Sequence, residues 1–340
     1  MPTSDRLVAV AAHGLAGSRT ELPPGPLSEP EWFDLVQGCV AADLVGFLAA
    51  AAAAGDLVLT PGQADELAVL VAEHAGLSLL VERRAVTASS VLTAAGIDHR
   101  VVDGPARRLA YGDAALRPAR RAHVLVPPAR LAEARALQGP APAGSGPRTE
   151  RLVLLASLPG LAEGPAGGGA ASETGGAAPL LVRLGPPAHL ELAGCRVPVL
   201  SLEQQLVAAA LEVAGSPVVP LARQRDVAQL ALSAGLDAAA ARRLAEALGL
   251  TGALAEAIAL AWGTFDLADK TELSVWAQRV AGRRPHQAAE RPAPAPVARK
   301  GFAQRVLRRS PAPAGVPVAT TMFTSGPGMA VRAPWSTRRR

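Results

Sequence analysis

Hydrophobic spacing changes twice along this chain, and those two changes confine it to a mixed fold. Apolar residues first recur at helical intervals: Trp32, Leu35, Val36, Cys39, Val40, Leu44, Phe47 and Leu48. After a break over 56–60, Thr60 followed by Pro61 marks a helix start. Leu67, Leu70, Val71 and His74 then define a face that runs to Ala75. A separate helix is expected over 79–95, closed by Gly96. There the spacing shortens. Residues 97–102 read as a strand, Gly104-Pro105 turns the chain into a short helix over 106–111, and 122–126 reads as a strand ended by Pro127. A helix over 129–137 follows. Residues 151–156 and 180–184 are expected as further strands, and 190–192 with 196–200 as a hairpin turned at Gly194. Helical spacing returns at Ser201, where SLEQ reads as a cap with Gln204 at the third helical position. It holds to about Val280, with breaks at 215–220, Gly235, Gly249 and Gly263.

The expected fold class is therefore α+β: a small mixed sheet flanked by helices, with helices before it and a helical domain after it. The expected organisation is a proline-rich arm over 1–30 carrying a short helix near 7–12, and a helical region over 31–96. An α/β core over 97–200 follows, then a helical domain over 201–282 and a basic Pro/Ala/Arg tail over 283–340. Within the core, 159–179 is loaded with glycine and alanine and reads as a flexible loop; the tail reads as disordered. Aromatic residues make up only 3% of the chain, so alanine and leucine must carry most of the packing. Charge is divided unevenly. Residues 281–340 hold 12 Lys and Arg against one acid, Glu290, whereas 1–280 hold 22 against 28. A formal net charge of +5 thus describes the tail, not the folded body, and does not make the body a nucleic-acid binder. The tail offers only Phe302, Phe323 and Trp335 for base stacking, so its expected nucleic-acid contact is weak and non-specific. Residues 301–309 make a short basic amphipathic stretch, weaker than a membrane-surface helix.

Other classes find little support. The two cysteines, Cys39 and Cys195, lie in apolar surroundings and read as buried thiols of a cytoplasmic protein. No basic start precedes an apolar run and a cleavage site, so no signal peptide is expected. The longest apolar run, 44–54, is short of the ~20 residues that span a bilayer. Six scattered histidines lack zinc-site spacing, and His74 and His99 read as surface or core-edge residues. No GxxxxGK[ST] loop is present, and the glycines at 167–169 lack a following lysine.

The most informative stretch is GIDHRVVDGPARRLAYGDAALRPARRAHVLVPPARLAEARAL. It resembles an uncharacterised family of bacterial nucleotidyltransferases found beside peptide-modifying gene clusters. In that family a strand ends in lysine-glycine before a short helix bearing a tyrosine. A loop arginine follows, and then a strand carrying aspartate-x-aspartate. The family's glycine falls on Gly104, its tyrosine on Tyr111 and its loop arginine on Arg117. The segment ELAGCRVPVLSLEQQLVAAALEVAGS resembles the family's entry into its helical domain, and Arg225-Asp226 resembles an arginine-aspartate pair there. The resemblance covers roughly 30–265 and implies a nucleotidyltransferase-like fold.

The departures bear directly on chemistry. The family's lysine falls on Asp103, its two motif aspartates on Arg121 and His123, and a third acid on Val153. Two residues separated by one on a strand share a face. Paired aspartates so placed grip Mg²⁺ ions ~3.5–4 Å apart, which neutralise charge developing in phosphoryl transfer. Arginine offers donors only, and histidine is a poor substitute for a hard oxygen ligand. The leading expectation is therefore a pseudoenzyme, a nucleotidyltransferase-like binding or scaffold protein with a protein or peptide partner, no metal and no cofactor. Two alternatives stand beside it. One is an active enzyme transferring NMP from an NTP with Mg²⁺, through non-standard acids such as Asp98, Asp103 and Asp113. The other is a phosphate- or nucleic-acid-binding protein using the tail and an arginine patch. Gly104, Arg107, Arg117, Arg120 and Arg121 are the candidate phosphate contacts, joined in the patch by Arg108. Asp103 and Asp113 otherwise read as turn residues, and Arg225-Asp226 as a helix-surface pair.

Overall fold

The computed structural model describes residues 2–138, 152–158, 180–216, 218–268 and 270–283. The expected loop at 159–179 and the tail from 284 onward lie outside them. The first helix, α1 (Thr3–Ala12), begins earlier than its apolar residues suggest. α2 (Glu29–Ala41) starts at a Ser28 cap whose hydroxyl donates 2.7 Å to Glu31. The expected continuous helical pattern then splits. Asp43 adopts φ 59°, which ends α2 and lets α3 (Val45–Ala54) turn back, closed by Gly55 at φ 81°.

Thr60 and Pro61 do open a helix: Thr60 N–H donates 3.1 Å to Gln63 Oε1, and Gln63 N–H donates 3.3 Å to Thr60 Oγ1. That helix, α4 (Pro61–Ala94), runs 34 residues without interruption, about 50 Å, so the two helices expected here are one. Gly76, the one breaker between them, has no atom within 4 Å of a Cβ built on it. Its cost of about 1 kcal/mol does not end a helix flanked by good formers.

β1 (Arg100–Val101) leads into a 3₁₀ turn (Gly104–Arg107) and the single turn of α5 (Arg108–Tyr111). β2 (Ala122–Leu125), α6 (Leu131–Gln138) and β3 (Leu152–Leu155) follow. The expected strand at 180–184 is a helix, α7 (Leu180–Leu184). An apolar run of this length cannot reveal its period. Burial of Leu181 and Leu184, three apart, suits a helix, and Gln204 Nε2 donates 2.6 Å to Leu184 O at its end. β4 (Ala188–Leu192) and β5 (Cys195–Val199) form the expected hairpin, with Ala193 and Gly194 both at positive φ. The sheet is mixed, in order β3-β2-β1-β5-β4. β1 lies antiparallel to β2 and parallel to β5, and β2 lies parallel to β3. α4 covers it through Val81, Ala85 and Leu92, which pack on Ala122, Val101, Val124 and Val199.

α8 (Leu202–Ala214) starts at the Ser201–Gln204 box, and α9 (Leu221–Ala231), α10 (Ala238–Ala247), α11 (Thr251–Thr264) and α12 (Glu272–Arg283) follow. These helices do not pack alone. Their core, including Leu206, Val227, Ile258 and Phe265, is continuous with Val10, Trp32, Leu35 and Phe47 of the first three helices. Residues 17–20 pair with 265–268: Ser18 Oγ donates 2.9 Å to Phe265 O, and Ala268 N–H donates 2.8 Å to Gly17 O. Among the described residues no helix is long and apolar enough to cross a membrane.

Candidate functional site

The turn after β1 fixes the site. Val102 N–H donates 2.9 Å to His123 O, and the chain must then leave the sheet without colliding with β2. Gly104 makes this possible at φ 63°; a Cβ there would lie 2.4 Å from Arg121 O. Asp103 is carried inward by the same turn and is 3% exposed. It accepts His123 N–H at 2.8 Å on Oδ1 and His123 Nδ1–H at 2.7 Å on Oδ2. Burial raises the Asp103 pKa, but His123 and the Arg107 cation outweigh it and hold the carboxyl below the usual carboxylate range. Asp103 is therefore not a solvated turn residue.

A second buried acid anchors the arginines. Asp226 on α9 is 1% exposed. Tyr111 Oη donates to its Oδ1 at 2.7 Å and Arg117 Nε at 3.1 Å, while Arg117 Nη2 donates 3.2 Å to Oδ2, where Arg107 also donates. Burial works against this charge, but Arg107 and Arg117 hold the Asp226 carboxyl below its ordinary value. Burial and Asp226 together push the Tyr111 phenol up. Arg225 is equally buried. It donates 3.3 Å to His13 O, and its guanidinium carbon lies 4.9 Å from the Phe47 ring centroid and 5.7 Å from that of Tyr111. The expected helix-surface pair is thus two core residues with separate partners. α9 is apolar on both sides of the pair, with Ala222, Val227, Ala228 and Leu230 all buried.

Three residues that the sequence reading passed over complete the site. Asp43, at the left-handed break after α2, accepts from Arg120 Nη1 at 2.8 Å. Glu212 lies 2.6 Å from Arg223 and 4.0 Å from Arg107. Burial pushes the Glu212 carboxyl up to about 7 against the pull of Arg107, and Asp103 and Asp226 add to the rise. Glu212 is the lone acid in the apolar run LVAAALEVA, and that isolation was a usable signal.

The network opens on a cleft of about 230 Å³. All five candidate phosphate contacts line it: Gly104, Arg107, Arg117, Arg120 and Arg121, together with Arg223, Asp43 and Asp103. Arg121 is exposed at its edge and makes no ion pair among the described residues. Arg108 is turned away and pairs with Glu82. The other candidates do not join. Asp98 pairs with Arg100, and Asp113 accepts Ala115 N–H at 2.8 Å in a turn of its own. Val153 sits on β3 opposite His123 in the parallel register and offers no ligand. His99 is buried rather than peripheral, between Ser89 Oγ at 2.8 Å and Ile97 O at 2.9 Å, and His74 is also buried. Among the described residues no group of three or more His, Cys, Asp or Glu is arranged to hold a metal ion. Comparison with family models, curated proteins and solved structures found no match.

Proposed function

We propose that this chain has a nucleotidyltransferase-like fold whose cleft has reversed its polarity: it binds a phosphate-bearing ligand directly through arginines and has lost metal-dependent nucleotidyl transfer. One observation carries the reading. Five arginines line the cleft against two acids, and one of the five, Arg121, has no counterion among the described residues. The resemblance seen in the sequence supports it. The positions of the family's lysine and aspartates hold Asp103, Arg121 and His123, so the charge signs are exchanged, and the Asp103–His123 pair keeps a polar link between turn and strand. Mg²⁺ does not fit these residues. Both Asp103 oxygens accept from His123, and Asp226 is saturated by Tyr111, Arg107 and Arg117. Arginine forks suit the planar oxygen pairs of phosphate without an intervening ion.

Calorimetry of the full chain with inorganic phosphate, ATP, CTP and GTP, in EDTA and in Mg²⁺, tests this. Micromolar binding in EDTA, weakened at least tenfold in Arg120→Ala/Arg121→Ala, is expected. Binding that requires Mg²⁺ would restore the active-enzyme alternative, and no binding in either condition would remove the ligand reading altogether.

A further inference from the structure

Glu212 does not line the cleft, but it touches two arginines that do. Its Oε2 lies 2.6 Å from Arg223 Nη1 and 4.0 Å from Arg107 Nη2, and its side chain is 11% exposed. The acids of this network are held differently. Asp103 accepts two hydrogen bonds from His123, and Asp226 accepts from Tyr111, Arg107 and Arg117. Glu212 Oε2 is buried with no hydrogen bond among the described residues, so its contact with Arg223 is an ion pair without donor alignment. A buried carboxylate without a donor is the one that a proton neutralises most readily. The charged groups around it are Arg107 and Asp103 from the turn after β1, His123 from β2, and Arg223 and Asp226 from α9. α10 and α11 also pack on α8, but Arg242 pairs with Glu272 and Arg243 with Asp237, while Glu246 and Glu256 are exposed. The other acid of α8, Glu203, accepts from Ser201 Oγ and Asp237 N–H at the far end of the helix.

We propose that Glu212 is an internal anion competing with the cleft ligand for Arg107 and Arg223, so that a phosphate dianion binds together with one proton, which neutralises Glu212. The inference rests on the direct-binding reading above and adds its regulation by pH. A dianion in the cleft brings further negative charge to arginines already shared by Glu212 and Asp226. Like charges this close disfavour ionisation, and the proton goes to the acid with no donor to lose. Glu212 carboxylate and one proton from solvent give the neutral acid, which leaves the charge of Arg223 to the ligand. Burial already pushes the Glu212 carboxyl up to about 7 against the pull of Arg107, so only a modest further rise is needed at neutral pH. Proton and phosphate strengthen each other by the same factor. Affinity for the dianion is therefore highest where Glu212 is protonated. It falls as pH rises through the free value of Glu212, by up to about tenfold per unit.

The test is calorimetry of the full chain with inorganic phosphate at about pH 8, where phosphate is mostly dianion, in two buffers of different ionisation enthalpy. The buffer dependence gives the protons taken up on binding. The wild type should take up about half a proton or more beyond Glu212→Gln, a comparison that subtracts protons bound elsewhere. Glu212→Gln should bind phosphate about fivefold to tenfold more tightly than the wild type at about pH 8, and within about twofold of it at about pH 5.5. Equal proton uptake by the two proteins, or equal affinity at the higher pH, would overturn the role of Glu212 and leave direct binding standing. No binding of inorganic phosphate would overturn the inference, and the direct-binding reading falls with it only if ATP, CTP and GTP also fail to bind. If Glu212→Gln fails to fold, difference infrared spectroscopy of the wild type decides. Phosphate at the higher pH should convert a carboxylate band into that of a protonated carboxyl, and absence of that change would overturn the proposal.

Discussion

Asp226→Asn is the sharpest perturbation the structure offers. Asparagine has nearly the same shape and keeps an acceptor for Tyr111, so no cavity forms. What disappears is the one charge that faces both Arg107 and Arg117, whose side chains are 12% and 8% exposed. Removing one partner of a buried ion pair typically costs about 3–5 kcal/mol, because the remaining charge is left uncompensated. That is a large share of the roughly 5–15 kcal/mol that holds a domain folded. Urea denaturation followed by far-UV circular dichroism should show a lower midpoint at unchanged slope. The deficit should depend on pH. Arg107 and Arg117 hold the Asp226 carboxyl below its ordinary value in the folded chain, so its stabilisation is fully present above the unfolded pKa and is lost as pH falls through the folded one. The gap between wild type and variant should therefore be wide at neutral pH and narrow in acid. Inorganic phosphate should recover more stability in the variant than in the wild type, since two arginines are left in need of an anion. At about 100 times its Kd, a ligand adds about 2.7 kcal/mol. A loss under about 1 kcal/mol, or equal phosphate stabilisation of both proteins, would refute the view that Asp226 is the electrostatic anchor of the cleft.

Four other outcomes are expected. Gly104→Ala should destabilise by about 2–4 kcal/mol in thermal or urea unfolding, since it adds left-handed strain to a 2.4 Å approach to the Arg121 carbonyl. Tyr111→Phe should cost about 1–3 kcal/mol by removing a hydrogen bond to a charged acceptor while keeping the ring against Phe47, and Tyr111→Ala should cost more. Glu212 retains its proton to about pH 7 when folded but loses it near 4.5 when unfolded, so it lowers stability as pH rises between those values. Glu212→Gln should flatten that slope in a pH series of unfolding curves. Burial pushes the Cys39 thiol up to about 12, so iodoacetamide should modify Cys39 only after unfolding.

Local chemistry made much of the architecture readable. Thr60-Pro61 and SLEQ start helices where their hydrogen-bonding residues require it, and the Ala193-Gly194 turn joins the strands beside it. Misreadings occurred where local preference was weak. Gly76 resembles a helix end but meets no demand for one, and LLVRL is too short for its period to show. The arginines of the site were visible as a cluster, and so was the need for Gly104. Their counterion pairing was not, although Asp226 itself stood out beside Arg225, because Asp43, Glu212 and Asp226 come from α2–α3, α8 and α9, far away in sequence from residues 103–121. A buried acid and a surface acid are spelled alike; only the apolar residues around Glu212 and Asp226 separate them.

The pairing of residues 17–20 with 265–268 has a consequence for biosynthesis. Ser18 and its partner Phe265 are 247 residues apart. At ~5–20 residues per second, a ribosome needs ~12–50 s to make the second after the first. For most of that interval α1, with Val10, Ala11 and Ala12 destined for full burial, can pack on α2 and α3 but not yet on α9. Such a helix is a natural client for nascent-chain chaperones, and slow translation would lengthen its exposure rather than help it fold.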